Sequence, residues 1–176
     1  MNSWVKLAAL ALAALLAAQM LSRDRGPESM TVGKAAPQLV LPDMDGNTVD
    51  LARYRGQVVA VNFWATWCPP CKDEIPALST AWREGRDRCL EILGVTEEST
   101  REDTEAAVKK LAIPYPVLLD PEGTAARSYG LTAYPRTYLV DAEGVVRKVF
   151  DGTVTREALA RAVAPLLPAS CRRGSP

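Results

Sequence analysis

Val58-Val59-Ala60-Val61-Asn62-Phe63-Trp64-Ala65-Thr66-Trp67-Cys68-Pro69-Pro70-Cys71-Lys72 decides how the rest of the chain is read. Residues Val58 to Trp64 are almost continuously apolar and follow the breaker Arg55-Gly56, the pattern of a central strand buried on both faces. A helix should open near Pro69, because proline is tolerated in a first turn, where its missing N–H would be unpaired anyway. Pro76 should kink that helix.

Working outward, Leu90 to Val95 reads as a second buried strand. Ser99-Thr100-Arg101-Glu102 reads as a capping box opening a helix that ends with Lys109 and Lys110. Strands are expected at Val117 to Leu119, Thr137 to Val140 and Val145 to Phe150, the last two joined by a turn at Glu143-Gly144. A short helix is expected near Thr124 to Tyr129, and a final one from about Thr155 with Leu159, Val163 and Leu167 on one face. Before the central strand, Gln38 to Leu41 and Thr48 to Leu51 flank Asp45-Gly46-Asn47, a hairpin pattern. The fold class is α/β: a central mixed sheet with helices on both faces and an N-terminal β-hairpin extension.

The 176 residues, 48% hydrophobic, suffice for one domain with its own core. With 21 basic and 21 acidic residues the net charge is zero, so a nucleic-acid partner is not expected. Histidine is absent, which removes Ser-His-Asp triads, Cys-His nucleophiles and every zinc site built on imidazole. Neither a metal nor a cofactor is expected.

Leu7 to Ala18 is uninterrupted Ala and Leu, and from Val5 to Leu21 the apolar run is about 17 residues, roughly 26 Å as a helix. It reads as a retained signal-anchor or a cleaved signal peptide over 1–22; a buried amphipathic helix is the bland alternative. No clean small-x-small cleavage site follows it, and Lys6 favours that end staying in the cytoplasm, with the domain outside. Residues 23–35 then form a linker, 36–168 the domain and 169–176 a C-terminal tail.

Cys68 and Cys71, spaced i and i+3 at a helix start, can form a disulfide, and the first lies where free amides and the helix dipole stabilise a thiolate. The pair also follows a buried strand, so the Cys68 sulfur should emerge at the carboxyl edge of the sheet, where α/β folds place their sites. Thiol-disulfide exchange explains this placement best. A purely structural disulfide and half of a metal site are the alternatives, the latter lacking a second C-x-x-C or a histidine.

Phe63 to Lys72 together with Pro76 resembles the thioredoxin superfamily. Ala36-Pro37-Gln38-Leu39 through Gly46 and Leu51, Cys71 to Pro76, and Pro135 to Asp141 resemble its membrane-tethered TlpA/ResA type, over roughly residues 34 to 167. The resemblance implies a thioredoxin-like fold in which Cys68 and Cys71 are catalytic. It implies that Pro135 is a cis-proline aligning a partner's backbone, with Tyr134 beside it, and that Glu74 is the acidic residue near the active site. From position alone, Glu74 is equally an ordinary acid near a helix start. Trp67, Pro69 and Pro70 join Tyr134 and Pro135 as expected substrate-contacting residues. Asn62 stands where cytoplasmic thioredoxin has a buried aspartate, and Arg136 replaces the small hydroxyl residue usual after the cis-proline.

Cys89 and Cys171 could form a second, structural disulfide if the domain is extracytoplasmic; buried or free thiols are the alternative. The expected activity is reduction of disulfides in exported proteins, as in cytochrome c maturation, with electrons from a membrane donor and the chain acting as a monomer. Disulfide donation, a redoxin-type thiol peroxidase and a non-enzymatic binding module compete with it. A peroxidase would want threonine three residues before the reactive cysteine, where Ala65 stands.

Overall fold

The computed structural model describes Trp4 and residues 32–172; the expected apolar anchor or signal segment lies outside the described residues. Among the described residues no helix is long and apolar enough to cross a membrane.

Five strands form the main sheet in the order β5-β4-β3-β6-β7: β3 (Val58–Trp64), β4 (Leu90–Thr96), β5 (Val117–Leu119), β6 (Arg136–Val140) and β7 (Val146–Asp151). β3, β4 and β5 run parallel, while β6 is antiparallel to both β3 and β7, so the sheet is mixed as expected. β3 is buried at every residue because both faces are covered. Its alternation divides the core: Val58, Ala60 and Trp64 pack with Ile75 and Leu78 of helix α1 (Pro69–Gly85) and Leu159 and Val163 of a later helix. Val59, Val61 and Phe63 pack on the opposite face with Tyr129, Tyr138, Leu39 and Leu51.

The other helices are α2 (Arg101–Leu111), α3 (Thr124–Ser128), α4 (Arg156–Val163) and a last turn α5 (Ala169–Arg172). α4 presents Leu159 and Val163 to the core, and the Thr155 hydroxyl caps it by accepting from the Ala158 N–H. Pro76 sits inside α1, which continues past it to Gly85.

β1 (Val40–Pro42) and β2 (Thr48–Asp50) form the expected hairpin. Asp43 holds its turn by accepting from the Asp45 and Asn47 N–H groups at 2.9 and 2.8 Å. A bridge from Asp43 to Leu118 lays this hairpin along β5, shielding a sheet edge.

Besides shifts of one or two residues at strand ends and a last helix that stops at Val163, short of Leu167, three boundaries differ from the sequence reading. The cap of α2 is Thr100, whose hydroxyl accepts from the Asp103 N–H at 3.0 Å, one residue later than the expected box. Ser99 is instead engaged by Thr66, accepting from its backbone N–H at 3.1 Å, so a long-range contact outcompetes the local one. The expected linker 23–35 ends early: the Gly33 N–H donates to the Val146 carbonyl, and Ala35 bridges Val145, because the start of β7 offers an otherwise open edge. The expected tail begins with the turn of α5, which carries Cys171.

Cys171 is disulfide-bonded to Cys89, with Cα atoms 6.0 Å apart, tying α5 to the residue preceding β4. This cross-link spans 82 residues, a separation for which chain entropy assigns about 4 kcal/mol of stabilisation. Replacing both cysteines with alanine should lower the urea midpoint correspondingly; an unchanged midpoint would count against a stabilising role.

Candidate active site

The polypeptide leaves β3 at Trp64 and turns into α1 through Cys68, which occupies the N-cap. Pro69 and Pro70 supply no amide hydrogen, so the Cys71 N–H is the donor that reaches the Cys68 Sγ, at 3.2 Å. Cys68 and Cys71 are disulfide-bonded with Cα atoms 5.3 Å apart. Both cysteines are buried, Cys71 fully and Cys68 with 3% of its surface open, so Cys68 is the more accessible of the two. Exchange chemistry needs this asymmetry: one thiolate to attack and a covered one to resolve.

One turn beyond Cys71, Glu74 is turned into the core and is 3% exposed. Its Oε1 accepts from Asn62 Nδ2 at 2.7 Å and its Oε2 from the Val154 N–H at 2.8 Å. Burial outweighs these two bonds and pushes the carboxyl up to about 7, where it can take and return a proton near neutrality. Asn62 also donates to Thr137 Oγ1 at 2.9 Å, while its own Oδ1 has no protein partner. Asn62 thus anchors the acid from the middle of β3. Sequence spacing offered no sign of Val154 or Thr137, which reach Glu74 and Asn62 from 80 and 75 residues away.

The Tyr134–Pro135 peptide bond is cis. Arg136 pairs with Phe63 across the sheet, which puts Pro135 at the same end of the sheet as Cys68. Pro135 is buried, and its carbonyl accepts from the Gly152 N–H at 3.0 Å. Tyr134 is half-buried; its ring meets Trp67 edge-on at 5.7 Å, and its hydroxyl donates to Glu97 Oε2 at 2.6 Å. Trp67, 54% exposed, donates its indole N–H to the Glu98 carbonyl. The loops carrying Cys68, Pro135 and Glu97–Glu98 are therefore joined around one aromatic contact. Glu97 and Glu98 were not expected here; nothing local distinguishes them from other surface acids.

Pro69 and Pro70 are exposed beside the pair. Arg136 is committed to the scaffold, pairing with Asp151 at 2.8 Å and donating to the Gly130 carbonyl. Thr66 turns its hydroxyl to Ser99, at 3.2 Å. Cys89 and Cys171 adjoin the start of β4, whereas Cys68 adjoins the far end of the parallel β3.

The AhpC/TSA family model matches residues 32–149. Thiol-disulfide oxidoreductase ResA of Geobacillus thermodenitrificans is 31% identical over 140 residues, 80% of each chain. The Bacillus subtilis protein of the same name is 33% identical over 134 residues, 76% of this chain and 75% of that one. Among solved structures, a Chlorobium tepidum protein provisionally named thiol:disulfide interchange protein DsbE superposes with a TM-score of 0.75 and 27% identity, covering 80% of this chain and all of that one. With the oxidisable pair at the mouth of the sheet, these matches agree on one conclusion: the chain belongs to the AhpC/TSA family of the thioredoxin superfamily and is a ResA-type thiol-disulfide oxidoreductase.

Proposed function

We propose that this enzyme is a membrane-tethered, extracytoplasmic reductant of disulfides in exported proteins, cytochrome c precursors among them, acting as a monomer. The observation that carries the reading is the buried Glu74 one turn past a disulfide pair whose first cysteine caps α1 and whose second is fully covered. The Cys68 thiolate attacks a partner disulfide and forms a mixed disulfide. The Cys71 thiol loses its proton towards Glu74, attacks Cys68 and releases the partner as a dithiol, leaving Cys68–Cys71 oxidised. Trp67, Pro69, Pro70, Tyr134 and Pro135 are the surface on which the partner's chain lies. A membrane donor of two electrons returns the pair to the dithiol. The apolar segment Leu7–Ala18 supports the tether and the compartment.

Equilibrating the protein in glutathione and dithiothreitol buffers tests the direction. A Cys68–Cys71 potential below roughly −220 mV is expected; one above roughly −150 mV would make the protein a disulfide donor instead. The peroxidase alternative is disfavoured by Ala65 at the position wanting threonine and by the engagement of Thr66 with Ser99. Peroxide should therefore be consumed no faster than by a small free dithiol.

A further inference from the structure

The chain enters the fold at a particular place. The Gly33 N–H donates to the Val146 carbonyl at 2.7 Å, and the Val146 N–H to the Lys34 carbonyl at 2.9 Å. Val146 pairs with Val140, and Val140 with Val59, so this entry is level with the start of β3. Cys68 lies beyond the other end of that strand, about 17 Å or more away. Immediately beside the entry is a groove between β7 and α4. Arg147, Lys148 and Arg161 are its charged lining residues, and Ala162, Pro165 and Leu166 contribute to its apolar floor. No acid lines it. Of the acids nearby, Asp141 pairs with Arg147 itself, Asp151 with Arg136 and Glu157 with Arg156, so Lys148 and Arg161 carry the groove's positive charge. Lys148 and Arg161 are exposed, the Lys148 ammonium lying 4.8 Å from the centre of the Phe150 ring.

We propose that this groove docks on the anionic headgroups of a phospholipid bilayer and so holds the cysteine pair facing away from the membrane. The proposal rests on the tether reading. The 11 residues between Leu21 and Gly33 span at most about 38 Å, which keeps the groove within reach of the surface the apolar segment enters. Cations flanking an apolar floor suit headgroup phosphates above acyl chains. Each cation near an anionic surface strengthens attachment about fivefold.

The test uses the full chain with vesicles of phosphatidylcholine alone or mixed equally with phosphatidylglycerol. Vesicles are floated through a density gradient, and floated protein is treated with an amine-acylating reagent that cannot cross the bilayer. The expected result is flotation with both vesicle types. Lys148 acylation should be slowed about fivefold by phosphatidylglycerol only, Lys109 should be unaffected, and the shielding should be lost in Arg161→Glu. Equal Lys148 reactivity in both floated samples overturns the groove and leaves the tether standing. Flotation only with phosphatidylglycerol, abolished in the Lys148→Glu/Arg161→Glu variant, supports the groove and overturns the tether. Shielding of Lys148 that rises with protein concentration without lipid would assign the groove to a second copy and overturn the proposal.

Discussion

Cys68→Ser is expected to reduce disulfide-exchange turnover by roughly 10⁶-fold, the scale on which an enzyme loses a nucleophile that works as part of a unit. A hydroxyl at this N-cap does not ionise near neutral pH, and the Cys71 sulfur is too covered to replace it. Cys71→Ser should fail differently: Cys68 still attacks, no resolving thiol follows, and a mixed disulfide with the substrate accumulates. Turnover measured with a fluorescent disulfide peptide, beside non-reducing electrophoresis, separates the two variants. Comparable turnover by Cys68→Ser and the parent would remove Cys68 from the mechanism, and trapping by Cys68→Ser rather than Cys71→Ser would reverse their roles.

Glu74→Gln should produce the second-largest change, with opposite signs for rate and stability. The parent carboxyl sits at about 7 because burial disfavours its charged form, against an ordinary value of 4.5. A raised folded-state value means that native Glu74 holds its proton where the unfolded chain has released it. Its favourable contribution is complete below pH 4.5, declines as pH rises and is gone above about 7, a difference on the order of 3 kcal/mol. The parent's Tm should therefore fall between pH 5 and 8 more than that of Glu74→Gln, which carries no charge at either pH. Over the same range the variant should lose about 10²-fold in the step that resolves the mixed disulfide, along with its inflection near pH 7. Parallel Tm profiles would mean that Glu74 does not titrate there, and an unchanged inflection in the rate would assign it to another group.

These two expectations differ in where they could be read. The cysteine pair is legible in sequence because its chemistry is local: a buried strand, two prolines and an i, i+3 spacing place both sulfurs within one helical turn. Position 74 by itself says only that an acid lies near a helix start. What sets its carboxyl apart is enclosure between β3 and the loop before α4, with Asn62 and Val154 gripping its two oxygens. The capping box shows the same division. Thr100 and Ser99 are equally good caps locally, and Thr66, 33 residues from Ser99, selects between them.

The α/β class, the order of strands and helices, the redox pair and, through resemblance, the cis-proline position are legible without any structure. Each rests on periodicity, turn chemistry or a short motif, which neighbouring residues suffice to specify. Tertiary structure alone decided the strand order β5-β4-β3-β6-β7, the carboxyl at about 7, the joining of Trp67, Tyr134, Glu97 and Glu98, and the Cys89–Cys171 link. It also placed the chain's entry at the end of the sheet away from Cys68. These depend on desolvation and on contacts between residues far apart in sequence, and such contacts exist only once the sheet has brought its edges and loops together.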